Sequence, residues 1–302
     1  MMTRTLALCV ALAAGPAARA RAAGTADDSR ALVAAPQSAT NLHDRARACQ
    51  QLGPRGTAEA VPALVALLAD PQLAAYARQG LEGIPGPEPA AALRAALATL
   101  KGEPRLGAID SLGSLRDPKA VADLVRIAGE ADGPAARAAL RSLGRIGTAE
   151  AAAALRQAMT SGPEATRTDA AAAVLLAADS MRRAGRAADA AALCDAVRTA
   201  AVPDGLRAAA VRGALVARGP AAAPLFADLV KSTDRHVRHA ALLAVREIPS
   251  DPLADALRES LAAAAPELRA HLLLAMLDCH NARSMAAVRS AAADPDAGVR
   301  LA

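Results

Sequence analysis

Aromatic residues are almost absent from this chain of 302 residues, which has no tryptophan and only Tyr76 and Phe226 besides. Hydrophobic residues nevertheless make up 53% of the sequence, so its apolar content is mostly alanine, leucine and valine. Alanine and leucine rank highest in helix propensity, and small side chains let helices approach closely. The composition therefore argues against a core of large side chains and predicts an all-α fold.

Cysteines are few and do not form a disulfide pattern. Cys9 lies near the N-terminus, and the remaining Cys49, Cys194 and Cys279 are odd in number and far apart. A disulfide framework needs an even set at close spacing. We expect these three cysteines to be small buried hydrophobic residues.

Long hydrophobic runs are lacking, and the most pronounced one is short. The N-terminus has a basic start at Arg4, an apolar run from Leu6 to Ala14, a break at Gly15-Pro16 and small residues on either side of Arg19 and Arg21. This is the three-part layout of a secretory signal peptide, and the run is too short to span a bilayer. We predict a signal peptide over residues 1–22, export to the periplasm or the medium, and no stable membrane insertion.

An arginine recurs along the rest of the chain at nearly constant spacing. These marker arginines are at positions 47, 78, 105, 137, 167, 207, 238, 269 and 300, with steps of 31, 27, 32, 30, 40, 31, 31 and 31. Such regularity indicates a tandem repeat array. In each unit a helical apolar pattern follows the arginine, a Gly or Pro breaks it, and a second apolar helix follows. Neither helix can bury its apolar face alone, so the pairs must stack on one another.

The predicted fold is therefore an α-solenoid, a right-handed superhelix of stacked antiparallel helix pairs with about eight HEAT-like repeats. The unit, with an aspartate-bearing turn and the sequence "VRHAA" at 237–241, resembles the short bacterial HEAT repeat, also called the phycobilisome-lyase HEAT-like repeat. Taken whole, including "LGAIDSLGSLRDPKAV" at 106–121, the chain is similar to secreted HEAT-repeat proteins of planctomycete-type bacteria.

These patterns divide the chain into segments. After the signal peptide we expect a linker over residues 23–40, HEAT-like repeats over 41–163 and again over 203–302, with the last one incomplete. The step of 40 residues between Arg167 and Arg207 departs from the repeat. The intervening segment, 164–202, resembles a tetratricopeptide helix pair with Gly185 at its turn.

The marker arginines have two interpretations. They can form a structural ladder of hydrogen bonds and ion pairs between repeats, with residues such as Asp234 and Asp296 capping the helices, or they can form a row that binds a ligand. We favour the ladder.

Five histidines are candidate metal ligands: His43, His236, His239, His271 and His280. His236 and His239 share a helix face, as zinc ligands would. The repeat alignment, however, pairs His271 with Ala240 and directs no third ligand at them, so no metal site is expected.

Catalytic and cofactor motifs are also missing from the sequence. It contains no HExxH, CxxC, GxSxG or phosphate-binding loop. Carboxylates such as Asp110, Asp117, Asp123 and Asp195 could converge in three dimensions, but an open solenoid seldom provides the pocket that acid–base catalysis needs. We expect no enzyme activity in this chain, and no catalytic residue, metal or cofactor is assigned.

The function predicted is a non-catalytic protein–protein interaction scaffold whose second helices bind a partner. The alternative is an accessory repeat region of a larger exported enzyme, with the partner being a downstream domain of the same chain. DNA binding, as in HEAT-like DNA glycosylases, is not expected, because arginines are mixed with acidic residues and no tryptophan is present to stack on bases. A bilin-lyase activity is suggested only by the name of the repeat.

The end of the sequence gives a further expectation. After Arg300 only two residues of the next helix remain, so the apolar side of residues 268–277 and 286–293 would lie uncovered. We expect that the natural chain continues, or that this face binds a partner or a second copy. A charge at Leu273, in Leu273→Glu, should then abolish association.

Overall fold

The computed structural model describes residues 34–35, 41–130, 133–279 and 281–301. Within these ranges the chain is helical, and no residue is in a strand. The predicted signal peptide and nearly all of the predicted linker lie outside the described residues. His280 lies outside them as well.

The helices alternate along the chain between the first and second members of successive pairs. In chain order they are α1 Leu42–Arg55, α2 Val61–Val65, α3 Ala74–Gly83, α4 Glu88–Ala96, α5 Gly102–Ser114, α6 Val121–Ala128, α7 Pro134–Ile146, α8 Ala149–Ser161, α9 Glu164–Arg183, α10 Ala187–Arg198, α11 Asp204–Arg218, α12 Ala223–Leu229, α13 Arg235–Ala244, α14 Asp251–Ala263, α15 Pro266–Asp278, α16 Ala282–Ala291 and α17 Ala297–Leu301. Odd numbers are first helices and even numbers are second helices. Short 3-10 turns precede α2, α6 and α12 and follow α13.

Each first helix packs against the first helix of the next pair, from α1 on α3 through to α15 on α17. Some pairs also pack on themselves, as α9 does on α10 and α15 does on α16, and second helices pack on the first helix of the next pair, as α6 does on α7. Stacked helix pairs that contact mainly their neighbours are the architecture of an α-solenoid. The predicted all-α solenoid is confirmed.

The hydrophobic core runs through the stack as two clusters that meet at α11. Ala210 and Ala214 of α11 belong to the N-terminal cluster, while Val211 and Leu215 belong to the C-terminal one. Most of the buried residues are alanine, leucine and valine, and Phe226 is the largest fully buried side chain. The small aliphatic residues that dominate the sequence therefore also dominate the core.

Glycines let successive first helices approach at backbone distance. A Cβ on Gly113 of α5 would lie 2.8 Å from the Cα of Ser142 in α7, and one on Gly144 of α7 would lie 2.7 Å from the carbonyl oxygen of Ala173 in α9. The stacking distance is therefore fixed by residues that have no side chain.

The 40-residue step in the repeat results from one long helix. α9 has 20 residues, against 15 in α11 and 13 in α7. A turn at Gly185, whose φ of +79° is left-handed, leads into α10. The tetratricopeptide likeness of this pair stays a prediction.

The last described helices correct one expectation. Leu273 is only 2% exposed, because its side of α15 lies in the core and α17 packs across α15, where Val299 is buried too. The exposed leucines of α15 are Leu274 and Leu277. Leu273→Glu would thus place a charge in the core and would not test a docking surface.

Candidate functional site

The marker arginines lie near the start of the first helices, at the fourth residue of every first helix from α5 onwards. Four of them bond to the following repeat or to the turn that leads into it. Arg78 donates to the carbonyl oxygen of Gly107 at 3.2 Å, and Arg105 contacts both carboxylate oxygens of Glu130 at 3.0 and 2.8 Å. Arg207 donates to Asp234 at 3.2 Å, and Arg269 donates to Asp294 at 2.5 Å.

Other marker arginines hold the turn that precedes their own helix. Arg167 donates to the carbonyl oxygen of Gly162 at 2.8 Å, Arg238 to those of Ser232 and Thr233, and Arg300 to those of Asp294 and Pro295. The aspartates of these turns cap the helices, because the Asp234 carboxylate accepts from the backbone N–H groups of His236 and Val237. The predicted ladder between repeats is thus confirmed for the four arginines of the preceding paragraph, whereas Arg167, Arg238 and Arg300 stabilise the turn before their own helix.

The carboxylates considered for catalysis are each paired with arginine. Asp117 bonds to Arg94, Asp110 lies 3.6 Å from Arg141, and Asp123 lies 3.8 Å from Arg126. Asp195 accepts hydrogen bonds from Arg198 and Arg218. Burial alone would raise the pKa of Asp195, but these two hydrogen bonds outweigh it and hold the pKa below its usual range. The Asp195 carboxylate therefore remains ionised at neutral pH, which suits ion pairing better than proton donation.

The three described cysteines are free and buried, as expected. Burial raises the pKa of the thiols of Cys194 and Cys279 to about 11. A thiol reacts as the thiolate, so these positions are poor nucleophiles at neutral pH.

Three histidines line one cleft between α13 and α15. This cleft lies on the side of the stack formed by the first helices of the pairs, which we call the first-helix row. His236 and His239 come from α13 and His271 comes from α15, and Arg235 and Arg238 line the same cleft. The cleft has a volume of about 390 Å³. The repeat alignment pairs His271 with Ala240 and gives no third metal ligand for His236 and His239, yet the structure places His271 in the same cleft. Alignment compares positions along a helix, whereas the two helices lie side by side and bring different positions together.

A structural metal site needs several ligands that converge on one point. Within the described ranges no group of three or more His, Cys, Asp or Glu residues is placed to hold a metal ion. His236 Nε2 lies 3.8 Å from the carboxylate of Asp204, and His271 Nδ1 lies 3.0 Å from the carbonyl oxygen of Glu267. His43 is far along the chain, exposed on α1.

An apolar cleft opens between the second helices α6 and α8. It has a volume of about 240 Å³, and its lining includes Leu140 and Leu143 of α7, Val125 of α6, and Ala154 and Ala158 of α8. Val125 is 39% exposed, which is unusual for a valine in a helix whose other apolar residues are mostly buried. Leu140 and Leu143 of α7 line the cleft between the two second helices and form its floor. No sequence signal marked this cleft.

A second cleft continues on the other side of α8, towards α10. Its lining includes Ala153, Arg156, Gln157 and Thr160 of α8 and Ala196 of α10. Gln157 lines both clefts. The second helices α6, α8 and α10 thus present one grooved surface of mostly small side chains, which we call the second-helix groove.

The structure contains no described helix that is both long enough and apolar enough to cross a membrane.

Comparisons with known proteins agree with this architecture. The family profile of HEAT repeats matches residues 90–176, which run from α4 into α9. Among curated proteins no sequence matches the chain significantly.

Several solved structures are similar at low sequence identity. Human deoxyhypusine hydroxylase in complex with glycerol is 20% identical over 81% of this chain and 93% of its own, with a TM-score of 0.39. The complex of CpcE and CpcF of phycocyanin lyase from Nostoc is 22% identical over 86% of this chain and 92% of that chain, with a TM-score of 0.32. A structure of Kap95p with RanGDP is 13% identical over 91% and 44%, with a TM-score of 0.47. By the match of its own sequence, this chain contains HEAT repeats over residues 90–176.

Proposed function

We propose that this protein is a non-catalytic scaffold that binds a partner protein in the second-helix groove. The observation that carries the proposal is the apolar cleft between α6 and α8, where Val125 is exposed beside a floor of leucines. An exposed apolar cleft with a polar rim is the usual form of a site that receives an apolar side chain of another protein. HEAT repeats are a common protein-binding fold, and the matched repeats include this cleft.

The charged groups of the first-helix row support a structural role for that side. Arg212 forms a two-fold hydrogen bond with Glu247 at 2.6 Å, and Arg246 lies 3.9 Å from Asp278. Such pairs connect one repeat to the next and leave these carboxylates bound to arginine. We infer that this side of the stack maintains the curvature on which the groove depends.

The test is a comparison of two matched surface substitutions. Val125→Glu places a charge in the cleft, and Tyr76→Glu places one at a residue of similar exposure, 37%, on the first helix α3. Each tagged variant is incubated with the envelope fraction of the source cells, and the bound proteins are quantified by mass spectrometry.

We expect one protein to be retained by the wild type and by Tyr76→Glu and to be lost by Val125→Glu, with helix content unchanged in both. Retention by Val125→Glu, or equal loss in both variants, contradicts the proposed groove.

Export is the second part of the proposal, and it rests on the three-part layout of residues 1–22. The native protein should be recovered from the envelope or the medium with its N-terminus near Ala23. A cytosolic protein that retains Met1 contradicts export without affecting the proposed binding groove.

A further inference from the structure

The cleft between α13 and α15 is unusual in the charge of its lining. Five of its seven lining residues are arginine or histidine, and none is acidic. The other two are Leu242 and Leu268, which are half-buried. It lies on the first-helix row and is therefore separate from the second-helix groove.

Two arginines of the cleft differ in their bonding. Arg238 is half-buried and donates through Nη1 to the carbonyl oxygens of Ser232 and Thr233, at 2.6 and 3.0 Å. Arg235 is exposed, and its Nε donates to Nε2 of His236 at 3.5 Å. In the part of the chain that the structure describes, no carboxylate forms an ion pair with Arg235, unlike Arg207, Arg212 and Arg269.

The nearby carboxylates of Asp204 and Asp234 form no ion pair with Arg235 or Arg238 within the described residues. The Asp234 carboxylate caps α13 and accepts from Arg207, and Asp204 lies beside both His236 and Arg207. Within the described residues, carboxylates therefore do not fully neutralise the two arginines of the cleft.

We propose that this cleft binds an oxyanion, with Arg235 and a ring N–H of His239 as donors. Guanidinium and imidazole N–H groups form short charge-assisted hydrogen bonds to phosphate and carboxylate oxygens. A metal cation is disfavoured, because two guanidinium groups line the same space. The leucines at the base fit an apolar group attached to the anion, and the volume of about 390 Å³ accommodates a side chain or a small molecule.

Phosphate and carboxylate share this chemistry but come from different sources, so the experiment uses two probes. Inorganic phosphate represents a free or ligand-borne phosphate, and a short polyglutamate peptide represents an acidic protein segment. Binding to the whole protein is measured by isothermal titration calorimetry in a chloride buffer. Zinc chloride is titrated as a third probe.

The variants are chosen in matched pairs. Arg235→Gln and His239→Gln change the cleft, while Arg289→Gln on α16 and His43→Gln on α1 change exposed residues of the same types elsewhere. Arg238 is not substituted, because it holds the turn before α13. Helix content is checked for all four variants by circular dichroism.

We expect at least one anion to bind saturably, and each cleft variant to weaken it by about tenfold, the size of one lost charge-assisted hydrogen bond. The control variants should bind as the wild type does. Binding of phosphate alone identifies a phosphate-bearing ligand, and binding of polyglutamate alone identifies an acidic protein segment. The proposal is overturned if neither anion saturates, if the control variants weaken binding equally, or if zinc alone binds in a His239-dependent way.

Discussion

Replacing Gly144 with alanine adds one methyl group, which should push the first helices α7 and α9 apart. Gly144 lies in α7, and a Cβ there would sit 2.7 Å from the carbonyl oxygen of Ala173 and 3.1 Å from the Cβ of Leu176, both in α9. Ordinary contact begins at 3.4 Å, so the helices would have to move apart by roughly 0.7 Å against a close-packed interior. The atoms that must move belong to the backbone and to a Cβ, so no side-chain rotation relieves the contact.

The cost follows from two opposing effects. Overpacking a buried contact costs about 1–3 kcal/mol, and the same displacement stretches the 3.1 Å hydrogen bond from Ser180 Oγ to the carbonyl oxygen of Gly144. Alanine in place of glycine within a helix stabilises the helix by up to about 1 kcal/mol. We therefore expect Gly144→Ala to lower the free energy of unfolding by about 2 kcal/mol.

Urea unfolding followed by circular dichroism measures this change. The matched control is Gly205→Ala in α11, where a Cβ would meet nothing within 4 Å, so that variant should equal the wild type or exceed it by about 0.5 kcal/mol. A Gly144→Ala protein as stable as the wild type would refute the close approach of α7 and α9.

Three further predictions concern the core and its ionisable groups. Phe226 is fully buried, so Phe226→Ala should lower the free energy of unfolding by about 3–5 kcal/mol in the same urea assay; a loss below about 1 kcal/mol contradicts its position. The pKa of Asp195 is lowered in the folded state, because two arginine hydrogen bonds outweigh burial, so its stabilisation is present above the ordinary aspartate pKa of about 4 and is lost as pH falls towards the lowered value. Asp195→Asn should be less stable than the wild type at neutral pH and lose less stability on acidification, and equal pH profiles in thermal unfolding would count against it. Cys194 and Cys279 should resist alkylation in the native protein at neutral pH and react after unfolding, as read by mass spectrometry, because burial raises their pKa to about 11; rapid native labelling would contradict this.

The stacked helix pairs could be predicted from the sequence because each pair occupies one period of the repeat. An arginine every 31 residues or so, with an apolar helix on each side of a Gly or Pro break, already specifies the pairs, and the long step after Arg167 indicated the segment that contains α9. Asp234 was recognised as a cap because capping depends on residues two and three positions away.

The clefts could not be predicted in this way. How closely α6 and α8 approach each other depends on the rotation between repeats. Many small contacts together determine that rotation. The same holds for His271, which lines one cleft with His239 because α13 packs beside α15. Leu273 and Leu274 are adjacent in sequence, and only the packing of α17 shows which of the two is covered.

Site-specific photo-cross-linking in the source cells tests the proposed second-helix groove most directly. A photoreactive residue is placed at position 157, where Gln157 lines both clefts of the groove, and separately at position 76 on the first-helix row. We expect one partner protein to be cross-linked from position 157 and not from position 76. Cross-linking from position 76 alone, or equally from both positions, would contradict a partner held in the second-helix groove.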